Sequence, residues 1–496
     1  NYGVEVSGTG ALITSNGGAV QVTGNGGTLG TVTGNNHGVI VDNSGKIRAA
    51  GAGSTTVTGF GGGTNATLSN YGVLVNNSGE ISATGTGHVI INGTGGSGSG
   101  NLNGGVALSN SGFISSSGGN VTITGLGGGS GTGTQNHGVY AFSLGSISAG
   151  GSGTVTVNGT GGAIAGNFNY GVVMSAGGGT TSSGGNVSVN GQGGGAGSSQ
   201  VNIGVAVQQG GYINAGSTGN VIVNGIGGNT SGDGNTGVFV WLDGSYITSS
   251  GGDVTVTGTG GGGGGSSGNS TGVYVANGEI SATGGGDVNI SGFGSSSSGI
   301  NNHGVLIEGS TALITSDGGP IVMTGHAGGN TASLGINTID HSQINTVIDG
   351  GSVHLIANSM NLGAPITTDP AYFVWLSPFT NAMDINLGTA GDVNSGPLNL
   401  TDPELDSIST GYLIIGSSTA GDITTTADIT RTTSTIIGLQ STDDVLINGG
   451  LINTGGGDLT IIAGASPDAM YPLKSGSDVI CSTLYPIGPI EFDIDG

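Results

Sequence analysis

The side chains that could do chemistry in this sequence are scarce, and their spacing decides what they can do. Its 28 carboxylates face four cations, Lys46, Arg48, Arg431 and Lys474, in 496 residues. Cleaving a glycosidic bond takes two carboxyl groups about 5–10 Å apart. The ten acids before residue 336 instead stand singly: Glu5, Asp42, Glu80, Asp233, Asp243, Asp253, Glu279, Asp287, Glu308 and Asp317. Glu80 and Glu279 share a position in the repeat described below but lie six copies apart. The chain is therefore expected not to be an enzyme, with a polysaccharide-active site held as a lesser alternative.

Metal chemistry meets the same obstacle. His37, His137 and His303 share one position of the repeat but never in consecutive copies, too far apart for one ion. His88, His326, His341 and His354 show no ligand spacing. Calcium is the one cofactor the acids could take, through Gly232-Asp233-Gly234, Gly251-Gly252-Asp253 or the cluster Asp402, Glu404 and Asp406. The nonapeptide period of calcium-binding coils is absent, and acids in solvated turns explain these residues better. No cofactor is expected. Gly260 to Gly265 lacks the lysine of a phosphate loop.

A formal net charge of −24 and so few cations exclude nucleic acid and anionic membrane surfaces as partners. No apolar run approaches the roughly 20 residues of a membrane-spanning helix. The lone Cys481 has no intrachain disulfide partner. Asn1-Tyr2-Gly3-Val4 is an internal piece of the repeat, so the sequence reads as a mature piece or fragment of something longer. Asn-x-Ser/Thr triplets at Asn76, Asn92 and Asn229 are expected by chance in so Asn- and Thr-rich a chain.

The elements that must position these residues follow from a period. A Gly-Val pair recurs at Val4, Val39, Val73, Val106, Val139, Val172, Val205, Val238, Val273 and Val305, at spacings of 32 to 35 residues. Each copy holds three short runs with strand alternation, as in Asn70-Tyr71-Gly72-Val73-Leu74-Val75, Gly79-Glu80-Ile81-Ser82-Ala83 and Asn120-Val121-Thr122-Ile123-Thr124-Gly125. A Gly/Ser-rich stretch of variable length then absorbs the spacing changes. With 115 glycines, crossover helices are not available. The remaining solution is an all-β parallel β-helix of ten turns, each about 33 residues, with equivalent strands stacked about 4.8 Å apart. Alternation turns Val73, Val75, Ile81, Ala83, Val121 and Ile123 inward.

Stacking like on like makes polar columns too. Asn1, Asn36, Asn70, Asn103, Asn136, Asn169, Asn202, Asn235 and Asn302 form an Asn ladder at one corner, able to donate and accept along the stack. Tyr2, His37, Tyr71, His137, Tyr170 and His303 form the next column, read as a ring stack. The Gly that follows occurs in all ten copies, and a backbone bend that a Cβ would obstruct is the expected reason. Outward positions of the third strand form a Thr/Asn ladder, including Thr58, Asn92 and Thr124. Interruptions by Ile90, Ile222 and Val322 set an ice-binding face among the lesser alternatives.

After Ile336 the period stops, which divides the chain into residues 1–336 and an irregular β-helix continuation over 337–496. Residues 369–407 carry four prolines and are expected as an inserted loop or cap; their aromatics Tyr372, Phe373, Trp375 and Phe379 offer a possible glycan platform. The stretches SPFTNAMDINLGTAG from Ser377, TDPELDSISTGYLIIGSSTAGDITTTADIT from Thr401 and INTGGGDLTIIAGAS from Ile452 resemble the repeat-rich passenger regions of filamentous-haemagglutinin-like and autotransporter-like bacterial adhesins. That resemblance implies a right-handed parallel β-helix, export to the cell surface, and adhesion or matrix building. Phe492-Asp493-Ile494-Asp495-Gly496 would in such proteins run on into more repeats. The expected function is thus a secreted structural or adhesive fibre that self-associates into filaments at the cell surface or in a biofilm matrix. The alternative is a glycan-binding module of a large adhesin, with surface glycans or neighbouring cells as partners.

Overall fold

The computed structural model describes residues 1–27, 34–64, 67–346, 350–388 and 391–464. Lys474, Cys481 and residues 492–496 lie outside them. The chain is a β-solenoid of three stacked parallel sheets. First strands run from Val4–Ser7 to Met360–Leu362 in a 12-stranded sheet, and second strands from Leu12–Ser15 to Ile408–Ser409 in a 13-stranded sheet. Third strands, Val20–Asn25 to Leu459–Ile462, make a 15-stranded sheet.

Register is set by identity: Val39 pairs with Val73, Ile81 with Ile114, and Gly125 with Gly159. The predicted inward columns are buried throughout the stack and form one continuous apolar core. The second sheet alternates a large and a small residue, Ile81 with Ala83 and Ile213 with Ala215, which suits a narrow interior.

The Gly-rich stretches do more than absorb length. At the end of each third strand a glycine meets the glycine that opens the next first strand: a Cβ on Gly59 would overlap the Gly72 carbonyl oxygen, and one on Gly125 that of Gly138. The conserved-looking Gly of the repeat is therefore required by close backbone approach. The chain does bend at this Gly, as expected, and it does so without positive φ at Gly72 or Gly138. The two chain legs touch at this waist and then reopen around a second, smaller lobe. Main-chain bonds close it diagonally, from Gly62 N to Asn36 O at 2.7 Å, Gly96 N to Asn70 O at 2.8 Å and Gly128 N to Asn103 O at 2.7 Å. Before residue 336 the turn is thus a figure of eight with one apolar and one polar interior.

Past residue 336 the lobe is dropped: only Asn358 and Ser359 separate Val353–Ala357 from Met360–Leu362. Paired residues are now 24 apart, as in Ile336 and Met360, or 22 apart, as in Ile437 and Leu459, while the large coil continues unbroken. Residues 369–407 are not a simple loop. Phe373–Ser377 is a rung of the third sheet. Ile385–Leu387 and Leu398–Leu400 then join Ile423–Thr425 and Val445–Ile447 in a four-stranded parallel sheet. A one-turn helix, Asp402–Asp406, follows, opened by a capping box between Thr401 and Glu404. The buried Arg431 donates to the carbonyls of Leu405 and Ile408, tying this excursion to the coil.

Candidate functional site

The Asn ladder is the core of the small lobe. Asn36 through its backbone N–H and its amide donates to Asn70 Oδ1, at 3.1 and 2.9 Å. The backbone N–H of Asn136, Asn169 and Asn202 reaches the Oδ1 of the next turn's Asn at 3.0 to 3.1 Å. The Nδ2 atoms of Asn70, Asn136 and Asn202 donate to that same Oδ1 as well, while others bind their own loop, as from Asn103 to Gly100 O at 2.6 Å and from Asn235 to Gly232 O at 2.6 Å. One side chain thus joins two turns and closes one. Where the column lacks Asn, Ser270 stands in, accepting from Asn235 N at 3.1 Å and donating its own N–H to Asn302 Oδ1 at 2.9 Å. Asn1 lies exposed at the first turn, its ammonium 3.4 Å from Asn35 O.

The Tyr/His column stacks where it is continuous. Tyr2 lies over His37 at 5.5 Å and 5°, and His37 over Tyr71 at 5.6 Å and 27°; His137 and Tyr170 are 5.1 Å apart. Stacking is only half the role. The Nδ1 atoms of His37, His137 and His303 accept backbone N–H bonds from Tyr71, Tyr170 and Leu334 at 3.2, 3.3 and 3.0 Å. Such a ring must carry its proton on Nε2 and stay neutral. Burial agrees, depressing the three pKa values to about 4, about 3 and about 4.

A third polar column escaped the sequence reading. The residue just before each third strand caps its neighbour: His88 N donates to Ser54 Oγ at 3.1 Å, Asn120 N to His88 Nδ1 at 2.9 Å, and Thr154 N to Asn120 Oδ1 at 3.0 Å. The pattern returns at Asn220, whose Oδ1 accepts from Asp253 N at 3.0 Å, and at Asp253, which accepts from Asp287 N at 3.0 Å. Asp287 is pushed above the usual carboxylate range by burial and by the charge of Asp253. The signal was present, since the quoted motif begins with Asn120.

Several of the acids are tied up locally. Glu80 is buried and bonded by Lys46 at 2.7 Å, with Arg48 at 3.9 Å. Burial raises its pKa, but Lys46, Ser82 and Arg48 together outweigh this and lower it. Asp402 Oδ1 accepts from Thr430 N at 2.6 Å, and Glu404 takes Leu362 N at 2.9 Å and Thr401 N at 2.8 Å. Asp406 lies 3.8 Å from Arg431, and Asp233 Oδ1 accepts from Gly268 N at 2.8 Å. No group of three His, Cys, Asp or Glu residues among the described residues could hold a metal ion. A concavity of about 410 Å³ at the first corner is lined by Gln209, Leu242, Asp243, Asn277, Ser310 and Thr311.

Each of the four aromatics has its own neighbours. Phe373 and Trp375 point outward from the same strand, half-buried. The Trp375 ring stacks on His354 at 4.2 Å and 2°, and its Nε1 donates to Gly416 O at 2.6 Å. Phe379 packs edge-on against His326, which stacks on Phe293. Tyr372 and Phe379 remain 36% and 48% exposed. No helix of the described residues is long and apolar enough to cross a membrane. Compared with known protein families, curated proteins and solved structures, the chain finds no match.

Proposed function

We propose that this chain is a secreted structural and adhesive fibre protein, of the kind represented by the filamentous-haemagglutinin-like and autotransporter-like adhesins whose repeats it resembles. One observation carries the reading. From Asn36 to Asn302 the side chains best suited to chemistry are used to bind one turn to the next. A molecule built this way resists axial pulling, because each added turn extends every ladder. Electron microscopy of the native material is the test. Filaments with a subunit repeat matching this chain are expected, and discrete monomers would overturn the reading.

A second reading, glycan binding, rests on the exposure of Tyr372 and Phe379. Loss of binding to a glycan array on Phe379→Ala, with the fold unchanged, would support it over a purely mechanical role.

A further inference from the structure

The corner between first and second strands keeps one length through the early turns and then breaks it. The Val that opens the first strand and the residue that opens the second stand seven apart in successive turns from Val39 and Lys46 to Val205 and Tyr212. The next three turns give eight, six and eight, from Val238 to Tyr246, Val273 to Glu279 and Val305 to Leu313. A short corner between two long ones leaves a notch two rungs, or roughly 10 Å, across.

Asn277 and Gly278 make its floor. Gly309, at φ +93°, lies so close over this floor that a Cβ would strike Asn277 Oδ1. Thr311 reaches over the short corner, its hydroxyl bonding Asp243 two turns away and Asn277 Oδ1 at 3.1 Å. This bridge parts the notch into a concavity of about 410 Å³ beside Gln209 and Ser310 and one of about 300 Å³ beside Tyr246 and Glu279. Both are at the small end of ligand-site volumes.

The charge of the notch is uncompensated. No Asp, Glu, Lys or Arg stands between Glu80 and Asp233, and no Lys or Arg between Arg48 and Arg431, yet Asp243, Glu279 and Glu308 meet at this corner. Tyr274 bonds Glu308, whereas the Glu279 carboxylate and the Ser310 hydroxyl have no hydrogen-bond partner among the described residues. Tyr246 is held beside Glu279, its neighbour in the next turn, by stacking on Tyr212 at 5.9 Å and 19°. Unpaired carboxylates next to an aromatic ring draw an ammonium group. Amides and hydroxyls that both donate and accept match the hydroxyls of a sugar.

We propose that the notch binds an amino sugar unit of a polysaccharide, its protonated amine between Asp243 and Glu279 and its hydroxyls on Asn277, Ser310 and Gln209. A chain of such units crosses the corner over the Thr311–Asp243 bridge, one ring in each concavity. This gives the adhesive reading a ligand and rests on that reading for its purpose.

Titration calorimetry of the full chain with a β-linked glucosamine tetramer tests it, against the N-acetylated tetramer, a glucose tetramer and tetralysine. The glucosamine tetramer should bind at least about tenfold tighter than the other three, and less tightly in high salt or once alkaline pH removes its charge. Glu279→Gln and Asp243→Asn should each weaken it about tenfold, and Asp253→Asn, at the following corner, should leave it unchanged, all three with the thermal melt of the parent chain. No binding, equal binding of any comparison ligand, or sensitivity to Asp253→Asn and not to Glu279→Gln would overturn the proposal. Filaments that do not bind the tetramer overturn this site alone; discrete monomers that bind it overturn the fibre reading alone.

Discussion

Single side chains in this solenoid act many times over, so a misfit shows. Thr180 occupies the column of Ile147 and Ile213, fully buried, and its hydroxyl has no hydrogen-bond partner among the described residues. Thr180→Val removes the orphan group at equal shape and should stabilise the protein by about 1 kcal/mol, read from the denaturant midpoint. The histidines make the opposite case. Their folded pKa values of about 4, about 3 and about 4 lie below the ordinary imidazole value of 6.5, so the unfolded chain takes up protons first. Stability is complete above about pH 6.5 and falls as pH drops toward 4, by at most about 1.4 kcal/mol per pH unit for each ring. Denaturation midpoints should therefore fall between neutral pH and about pH 5, above the range where most carboxylates titrate; a flat profile there would exclude neutral buried rings as a source of stability.

At the scale of elements, the small lobe is the part most open to test. Asn169 accepts from the backbone and amide of Asn136 and donates to Gly166 O, so Asn169→Ala orphans several buried groups and should cost about 2–4 kcal/mol. Asn169→Ser should cost less, because Ser270 already serves as the acceptor in the same column. Glycines divide in the same way. At the waist, Gly125→Ala places a Cβ against the Gly138 carbonyl and should destabilise by about 3 kcal/mol, with faster amide exchange over residues 127–136. Gly131 sits at φ +66°, where a Cβ would meet only Ser99 Cβ at 3.7 Å, so Gly131→Ala should cost only about 1 kcal/mol, the strain of that backbone region.

As a whole molecule, the chain is a stack whose unit is one figure of eight up to residue 336 and a single coil beyond it. Removing residues 139–171, one full period from Val139 to Gly171, would bring Val106 onto Val172 with every column preserved. Such a deletion should leave a cooperative fold and shorten the rod by about 4.8 Å, a change in maximum dimension that small-angle scattering can follow. Removing half a period would set strands of different type against one another and should abolish folding.

Period and alternation together determined most of the large lobe from sequence. A repeat of 33 residues fixes which strand stacks on which, and a period of two fixes which side faces in; Val73, Ile81 and Val121 needed no further information. Like residues at like positions then made the Asn and Tyr/His columns legible. Three features were decided only by the tertiary structure. The waist is a contact between residues such as Gly59 and Gly72, which periodicity cannot bring together because it relates turns and says nothing about two legs of one turn. The acceptor role of His37 and His88 depends on where a backbone N–H of the next turn falls, which residue type alone does not fix. The apolar outer face of the first sheet was written in strands such as VYV and VFV, but the packing of Val173, Ile203 and Ala206 with Tyr140 and Tyr170 that covers it is visible only in the stack. Local pattern sets direction and register, while close approach between chain segments is a property of the folded path.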